Sequence, residues 1–162
     1  MQKYELVYKK NKELDEKFNS LYNMNDFDII RKNKFELLVE LGELANETKC
    51  FKYWSNKDID KEKIKEEYAD CLIMVLCFFN MFDINLDETF IMPKIKYDVV
   101  DLFGHLYKLC SDFYHEEDKD LIKLIFVNFI ELGHLLDLTD EEIIDVCLMK
   151  INKNFERFET GF

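Results

Sequence analysis

The sequence predicts an all-α protein, a bundle of about six helices that forms a single domain over residues 1–162. Three observations support this prediction. The chain has only four Gly and one Pro, too few turn residues for many short strands. It is rich in Leu, Ile, Lys and Glu, and no strand-like alternation persists for more than a few residues. Its 48% hydrophobic content suits one packed domain rather than a disordered chain.

The first three predicted helices lead towards the centre of the bundle. A polar helix is expected over residues 3–20 and a longer amphipathic helix over 26–51. After a loop around Ser55 to Asp58, a third helix is expected over about 59–82, charged at its start and then apolar on every side. A helix that is apolar all round lies in the interior, so the third helix is predicted to be central.

Start signals define the remaining helices. Pro93 suits the first turn of a fourth helix that ends near residue 113. The polar segment HEEDKD then connects to a fifth helix that ends near residue 137. Thr139 and Glu142 have the spacing of a capping box, which predicts that a sixth helix opens at Thr139.

Charge and composition exclude several classes of partner. The formal net charge of −12 argues against a protein that grips nucleic-acid phosphates or an anionic membrane. The longest apolar run, residues 71–79, is far shorter than a membrane span, and the charged N-terminal segment lacks the apolar region of a secretory signal. Five cysteines without a Cys-x-x-Cys pair are typical of reduced core residues. We therefore expect a cytoplasmic protein with neither nucleic acid nor membrane as partner.

Two pairs of acidic residues are the candidate functional feature. Successive helical residues are rotated by about 100°, so Glu40 and Glu43 share one face, at the margin of the apolar stripe that contains Leu41. Glu67 and Asp70 repeat this arrangement on the third helix. Carboxylates drawn towards a dry interior must be protonated, paired with cations or bound to a metal.

Spacing alone leaves two interpretations of these pairs equally open. Similar acidic pairs occur elsewhere in this acidic chain, where a solvated surface explains them, but only the pairs at Glu40 and Glu67 flank apolar faces. All-oxygen ligands favour Mg²⁺, and two such ions can bridge a polyphosphate and activate a water that attacks phosphorus. Whether Glu47 is a further ligand stays open.

Basic and aromatic residues near the acidic pairs suggest a nucleotide. Lys49 and Lys52 near the acidic pairs, with Lys150 and Arg157 on the sixth helix, could hold phosphate oxygens. Trp54, the only tryptophan, could cover a base or sugar, or it could be a hydrophobic plug at the end of the helix.

Three segments carry a family resemblance. The chain resembles the dimeric all-α dUTP diphosphatases, within the wider all-α NTP pyrophosphatase group that includes MazG. The segments that carry the resemblance are ELGELANETKCFKYWS, EEYAD and the closing segment KINKNFERFETGF. The similarity is dense over residues 36–72 and 147–162 and fainter over 10–18. It implies an enzyme that splits dUTP into dUMP and pyrophosphate, lowers the cellular level of dUTP and works as a homodimer.

The resemblance also implies roles for individual residues. It assigns Mg²⁺, two or more ions per site with Mn²⁺ as an alternative, to four acidic ligands: Glu40, Glu43, Glu67 and Asp70. Glu43 would also orient the attacking water. The residues implied in substrate binding are Lys52, Trp54, Lys150, Asn154, Arg157 and, in place of a glutamine common in the family, Asn11. Departures at Asn11, Ile151 and Phe158 put the choice of base in question more than the hydrolysis.

Three alternatives accompany this prediction. The first is a pyrophosphatase of the same fold that acts on another nucleotide. The second is a carboxylate-bridged iron protein, since Glu131 and His134 form one Glu-x-x-His motif, although such sites need two. The third is a non-enzymatic helical interaction protein whose acidic residues are merely solvated.

Overall fold

The computed structural model describes residues 2–86 and 96–161 and confirms the all-α prediction. A 3-10 turn, Gln2–Tyr4, precedes six α-helices. Their bounds are α1 Glu5–Leu21, α2 Phe27–Thr48, α3 Lys61–Met81, α4 Val99–His115, α5 Lys119–Leu135 and α6 Asp140–Thr160. No strand occurs among the described residues.

Acidic and hydroxyl side chains cap the starts of five helices. Four aspartates accept a hydrogen bond from a backbone N–H in the first turn of α2, α3, α4 and α5: Asp26, Asp60, Asp98 and Asp118. The capping box predicted at α6 is confirmed, because the Thr139 side chain accepts from the Glu142 N–H while the Glu142 side chain accepts from the Thr139 N–H. Of these five caps, the one at Thr139 was predicted from the sequence.

The predicted helix boundaries lie within three residues of the observed ones wherever the two can be compared, and the end of α2 differs most. α2 ends at Thr48 rather than near residue 51, because Lys49 adopts a left-handed backbone with φ of 54°. α5 ends at Leu135, two residues early, and Asp137 nearby also has a positive φ of 62°. The predicted start of α4 at Pro93 lies outside the described residues, and the described helix begins at Val99 behind its cap Asp98.

The central position predicted for the third helix is confirmed. α3 packs against α1, α2, α5 and α6, and nearly every residue from Tyr68 to Phe79 is buried. The Tyr68 hydroxyl donates a 2.9 Å hydrogen bond to the Phe129 carbonyl oxygen of α5. A Cβ on Gly133 would approach that hydroxyl to 2.6 Å, so only glycine lets α5 come this close. The core thus holds α3 in place, and the partly exposed residues of α3 lie on the side next to α2 and α6.

Among the described helices, none is both long enough and apolar enough to cross a membrane.

Candidate active site

Three carboxylates from two helices meet at one point. Glu40 lies on α2, and Glu67 and Asp70 lie on α3, with one oxygen of each within 4.8 Å of the others. All three side chains are partly buried. We call these three residues the acidic cluster. It unites one member of the first predicted pair with both members of the second.

Glu43 lies beside the acidic cluster rather than in it. It is exposed and does not belong to the group of oxygens within 4.8 Å. Its charge is nevertheless close enough to raise the pKa of both Glu40 and Glu67. Glu43 follows Glu40 by one helical turn, so it borders the cluster on the solvent side.

The cluster carries more negative charge than its surroundings offset. Burial, then the charges of Asp70 and Glu43, raise the pKa of Glu40 from 4.5 to about 7. Burial is also the first cause of the raised pKa values of Glu67 and Asp70. Because a divalent cation would favour the ionised form of all three, this donor set fits a hard metal ion such as Mg²⁺.

Lys150 of α6 supplies the cationic contact to the cluster. Its Nζ atom lies 2.5 Å from Asp70 Oδ2 and 3.3 Å from Glu66 Oε1, and only 10% of its side chain is exposed. Lys153 pairs with Glu66 alone, at 2.7 Å, from a more exposed position. Even with Lys150 in contact, the pKa of Asp70 stays above its usual value, so one lysine does not compensate the cluster.

A cleft of about 490 Å³ begins at the acidic cluster. It lies between α1, α2, α3 and α6. Six of the residues singled out from the sequence line it: Asn11, Glu40, Asp70, Lys150, Asn154 and Arg157. Acidic groups of two helices therefore face cationic and amide groups of α6 across one opening.

Lys52 and Trp54 do not line this cleft. Both follow the left-handed end of α2 and lie in an irregular segment. The Lys52 ammonium donates a 2.7 Å hydrogen bond to Asn46 Oδ1. Trp54 is 66% exposed and packs edge-on against Tyr53 and Phe51. This exposure contradicts the plug interpretation of Trp54, because a plug would be buried.

Sequence reasoning missed a polar group at the other end of the cleft. Asn11 and Asp15 of α1 meet Asn80 of α3, and the two amides both donate to Asp15 Oδ2, with Asn11 at 3.2 Å. We call these three residues the amide cluster. Asp15 lies one helical turn after Asn11, which was a usable signal, whereas Asn80 is remote in sequence. Glu36 was also missed, although it lines the cleft one turn before Glu40.

The iron-protein alternative finds no support in the geometry. The His134 Nε2 atom lies 3.1 Å from Asp140 Oδ1 on the rim of the bundle. Among the described residues, the acidic cluster is the only group of three or more His, Cys, Asp or Glu side chains close enough to share one metal ion, and it contains neither Glu131 nor His134. The single Glu-x-x-His motif is therefore not part of a ligand cluster.

An all-α bundle in which carboxylates of two helices face cationic side chains of a third is typical of helical enzymes that act on phosphate-bearing substrates. A family model described as dUTPase matches residues 3–162, and the chain belongs to this family. The resemblance and the enzyme class predicted from the sequence, an all-α dUTP diphosphatase, are thereby confirmed, and the non-enzymatic alternative is set aside. Neither a curated protein nor a solved structure gives a significant match.

Proposed function

We propose that this chain hydrolyses dUTP to dUMP and pyrophosphate in a reaction that depends on Mg²⁺, and so lowers the cellular level of dUTP. The observation that carries the proposal is the convergence of Glu40, Glu67 and Asp70 within 4.8 Å at the mouth of a cleft whose opposite wall holds Lys150 and Arg157. Carboxylates alone would repel a polyphosphate. Carboxylates that hold divalent cations, with lysine and arginine opposite, bind one.

The acidic cluster would hold the metal, with Glu43 as a further ligand at its exposed margin. The raised pKa values of the three clustered carboxylates mark an excess of negative charge, which supports occupation by a divalent cation. The ion proposed is Mg²⁺, two or more per site, with Mn²⁺ as the alternative. When bound, the metal offsets the phosphate charge and lowers the pKa of water.

Glu43 is the candidate for orienting the attacking water and accepting its proton. It is exposed, so it is open to water, and it borders the acidic cluster that would hold the metal. Glu40, one turn earlier on α2, would hold the metal from the buried side of the site.

The α6 side chains would bind the substrate phosphates. Lys150 now pairs with Asp70, and we expect it to exchange this partner for a phosphate oxygen once a metal neutralises the cluster. Asn154 and Arg157 lie one and two turns further along α6 on the same wall, where they would bind further phosphate oxygens of the substrate. Lys52 and Trp54 would act from the segment after α2, Trp54 with its exposed ring against the nucleoside.

The chain is proposed to work as a homodimer through an exposed apolar surface on α2 and α4. Phe35 is 59% exposed and Val39, one turn later, 43% exposed. α4 adds Tyr107, whose hydroxyl lies 3.1 Å from the position a Cβ on Gly42 would take, which joins the two helices into one surface. Contiguous apolar patches of this kind mark association sites.

Replacing Phe35 by Glu should convert a dimer into a monomer, as measured by light scattering coupled to size-exclusion chromatography. An unchanged molecular mass would show that this surface is not the dimer interface.

We also propose a cytoplasmic location. The five cysteines are all free and four of them are buried, three of these within the apolar core. This usage suits a reducing compartment.

The test of the proposed reaction is pyrophosphate release from dUTP by the purified protein, with Mg²⁺ and after its removal by chelation. Release should require the metal, and Glu43→Gln should abolish it while the circular dichroism stays helical. Release that survives that substitution would sink the assignment. A panel of all deoxynucleoside triphosphates decides the remaining alternative, since equal turnover of dCTP or dTTP would mean a pyrophosphatase without preference for uracil.

A further inference from the structure

The cleft has two chemically different ends on the same stretch of α3. Asp70, Met74 and Cys77 all line it, so it follows α3 for seven residues, about 10 Å at 1.5 Å per residue. The acidic cluster lies at the Asp70 end. The amide cluster lies at the Cys77 end, since the Cys77 thiol donates a hydrogen bond to Asp15.

A nucleotide laid along this cleft would bring its base to the amide cluster. With the phosphates at the acidic cluster, the remaining length accommodates the sugar and a pyrimidine ring. The walls of this half include the apolar residues Leu14, Phe18 and Ile73, which suit the faces of an aromatic ring. In a pyrimidine nucleotide the ring joins the sugar at N1, so position 4, directly across the ring, reaches furthest along the cleft.

We propose that Asp15 is the residue that distinguishes a 4-oxo from a 4-amino pyrimidine in this cleft. The inference rests on the proposed function and names how its substrate is chosen. A protonated Asp15 donates to the 4-oxo group of uracil, whereas the carboxylate only accepts and suits the 4-amino group of cytosine. Asn11 is fully buried and its Oδ1 has no hydrogen-bond partner among the described residues, so it offers a further acceptor for a donor on the base.

The surroundings of Asp15 allow both protonation states near neutral pH. Burial raises the pKa of Asp15 to about 6, against the hydrogen bonds from Asn80 and Cys77, which favour the carboxylate. Glu16 on the same helix raises it further. Tyr8 on α1 is close enough for the charge of Asp15 to raise its pKa. The other titratable or charged groups that line the cleft are Tyr22, Glu36, Glu40, Asp70, Lys150 and Arg157.

The test compares Asp15→Asn with the unaltered protein. Asparagine keeps the shape and donates at every pH, so the ratio of kcat/KM for dUTP over dCTP should rise about tenfold at pH 8, the size of one hydrogen bond to a charged group. The matched control is Glu16→Gln, which removes the same charge from the neighbouring, exposed position and should leave the ratio unchanged.

A second measurement uses the unaltered protein and needs no variant to fold. The ratio of binding constants for dUMP and dCMP, measured by titration calorimetry from about pH 5 to pH 8, should fall as the pH rises through about 6, because Asp15 then loses its proton. Both ligands carry the same phosphate, so its ionisation cancels in the ratio.

The outcomes separate the two proposals. A dUTP-to-dCTP ratio that Asp15→Asn leaves unchanged, or a binding ratio that does not vary with pH, would overturn the role of Asp15 while hydrolysis stands. If neither nucleotide is hydrolysed by the unaltered protein, the proposed function itself fails, and the dUMP-to-dCMP binding ratio still reports on Asp15.

Discussion

The two ends of the cleft each hold a carboxyl group with a raised pKa, but the groups that surround the two carboxyls are of different kinds. At the acidic cluster, Glu40 is surrounded by other carboxylates, and its pKa rises to about 7. At the amide cluster, Asp15 accepts hydrogen bonds from neutral donors, and burial raises its pKa to about 6. The first environment has an excess of negative charge, whereas the second supplies neutral hydrogen-bond donors. One end is therefore suited to a cation, and the other to a neutral group that forms hydrogen bonds.

The largest effect should come from the acidic end. Glu43→Gln keeps the size of the side chain but removes the proton acceptor, so kcat for dUTP should fall by about 10²- to 10⁴-fold. The ratio of dUTP to dCTP turnover should not change, because Glu43 is remote from the amide cluster. Rates for both nucleotides, measured by pyrophosphate release, check this. If Glu43→Gln changed the ratio of dUTP to dCTP turnover and left kcat for dUTP unchanged, the assigned roles of the two ends would be reversed.

A smaller effect should follow from the ion pair between Lys150 and Asp70. Lys150→Met leaves the cluster without its internal cation, so the affinity for Mn²⁺ should rise roughly three- to tenfold, while the affinity for pyrophosphate falls. Electron paramagnetic resonance of free Mn²⁺ measures the first effect without any turnover.

The control for that variant is Lys153→Met. Lys153 pairs with Glu66 and not with Asp70, so its loss should leave Mn²⁺ affinity nearly unchanged. Equal effects of the two variants would mean that general charge, rather than the contact to Asp70, sets the affinity.

The pH dependence of stability should also differ between the states with and without metal. Because the pKa of Glu40 rises from 4.5 to about 7 on folding, its contribution is fully present below about pH 4.5 and is lost as the pH rises through about 7. The melting temperature of the metal-free protein should therefore fall over this range, and Glu40→Gln should flatten the fall. Saturating Mg²⁺ should oppose it, because the ligand binds the ionised carboxylates of the native state. A metal-independent pH profile would contradict a cation site.

The smallest effect concerns Asn80. Its amide donates to Asp15 and favours the carboxylate, so Asn80→Ala should raise the pKa of Asp15 further. The midpoint of the pH profile for dUMP over dCMP binding should then move to higher pH. A midpoint that stays in place would show that Asn80 does not tune the amide end.

Much of the fold and of the acidic end was predictable because the signals are local. Helix starts follow from single capping residues such as Asp60 and Thr139, and the buried α3 follows from its continuous apolar composition. Glu40 and Glu67 were identified because each borders an apolar helix face. In the structure Glu43 lies beside the cluster rather than in it. It is one helical turn from Glu40 on the same face, so sequence spacing alone could not tell which of the two residues lies closer to Glu67 and Asp70.

The amide end was not predictable for a physical reason. Asn80 meets Asp15 across 65 positions of sequence, and the one local signal, the position of Asp15 one helical turn after Asn11, gives no indication of Asn80. The early end of α2 was missed because it depends on the left-handed backbone of Lys49, which is not a glycine. Lys52 and Trp54 follow that end in an irregular segment, and both also lie beyond residue 51, where the predicted helix ended.

The most direct test of the difference between the two ends is one set of rates. Pyrophosphate release from dUTP and from dCTP, with Mg²⁺, would be measured for the unaltered protein, Glu40→Gln and Asp15→Asn. We expect Glu40→Gln to lower both rates by the same factor, and Asp15→Asn to change their ratio while dUTP turnover persists. If Glu40→Gln altered the ratio, or if Asp15→Asn lowered both rates equally, the division of the cleft into a metal end and a base end would be wrong.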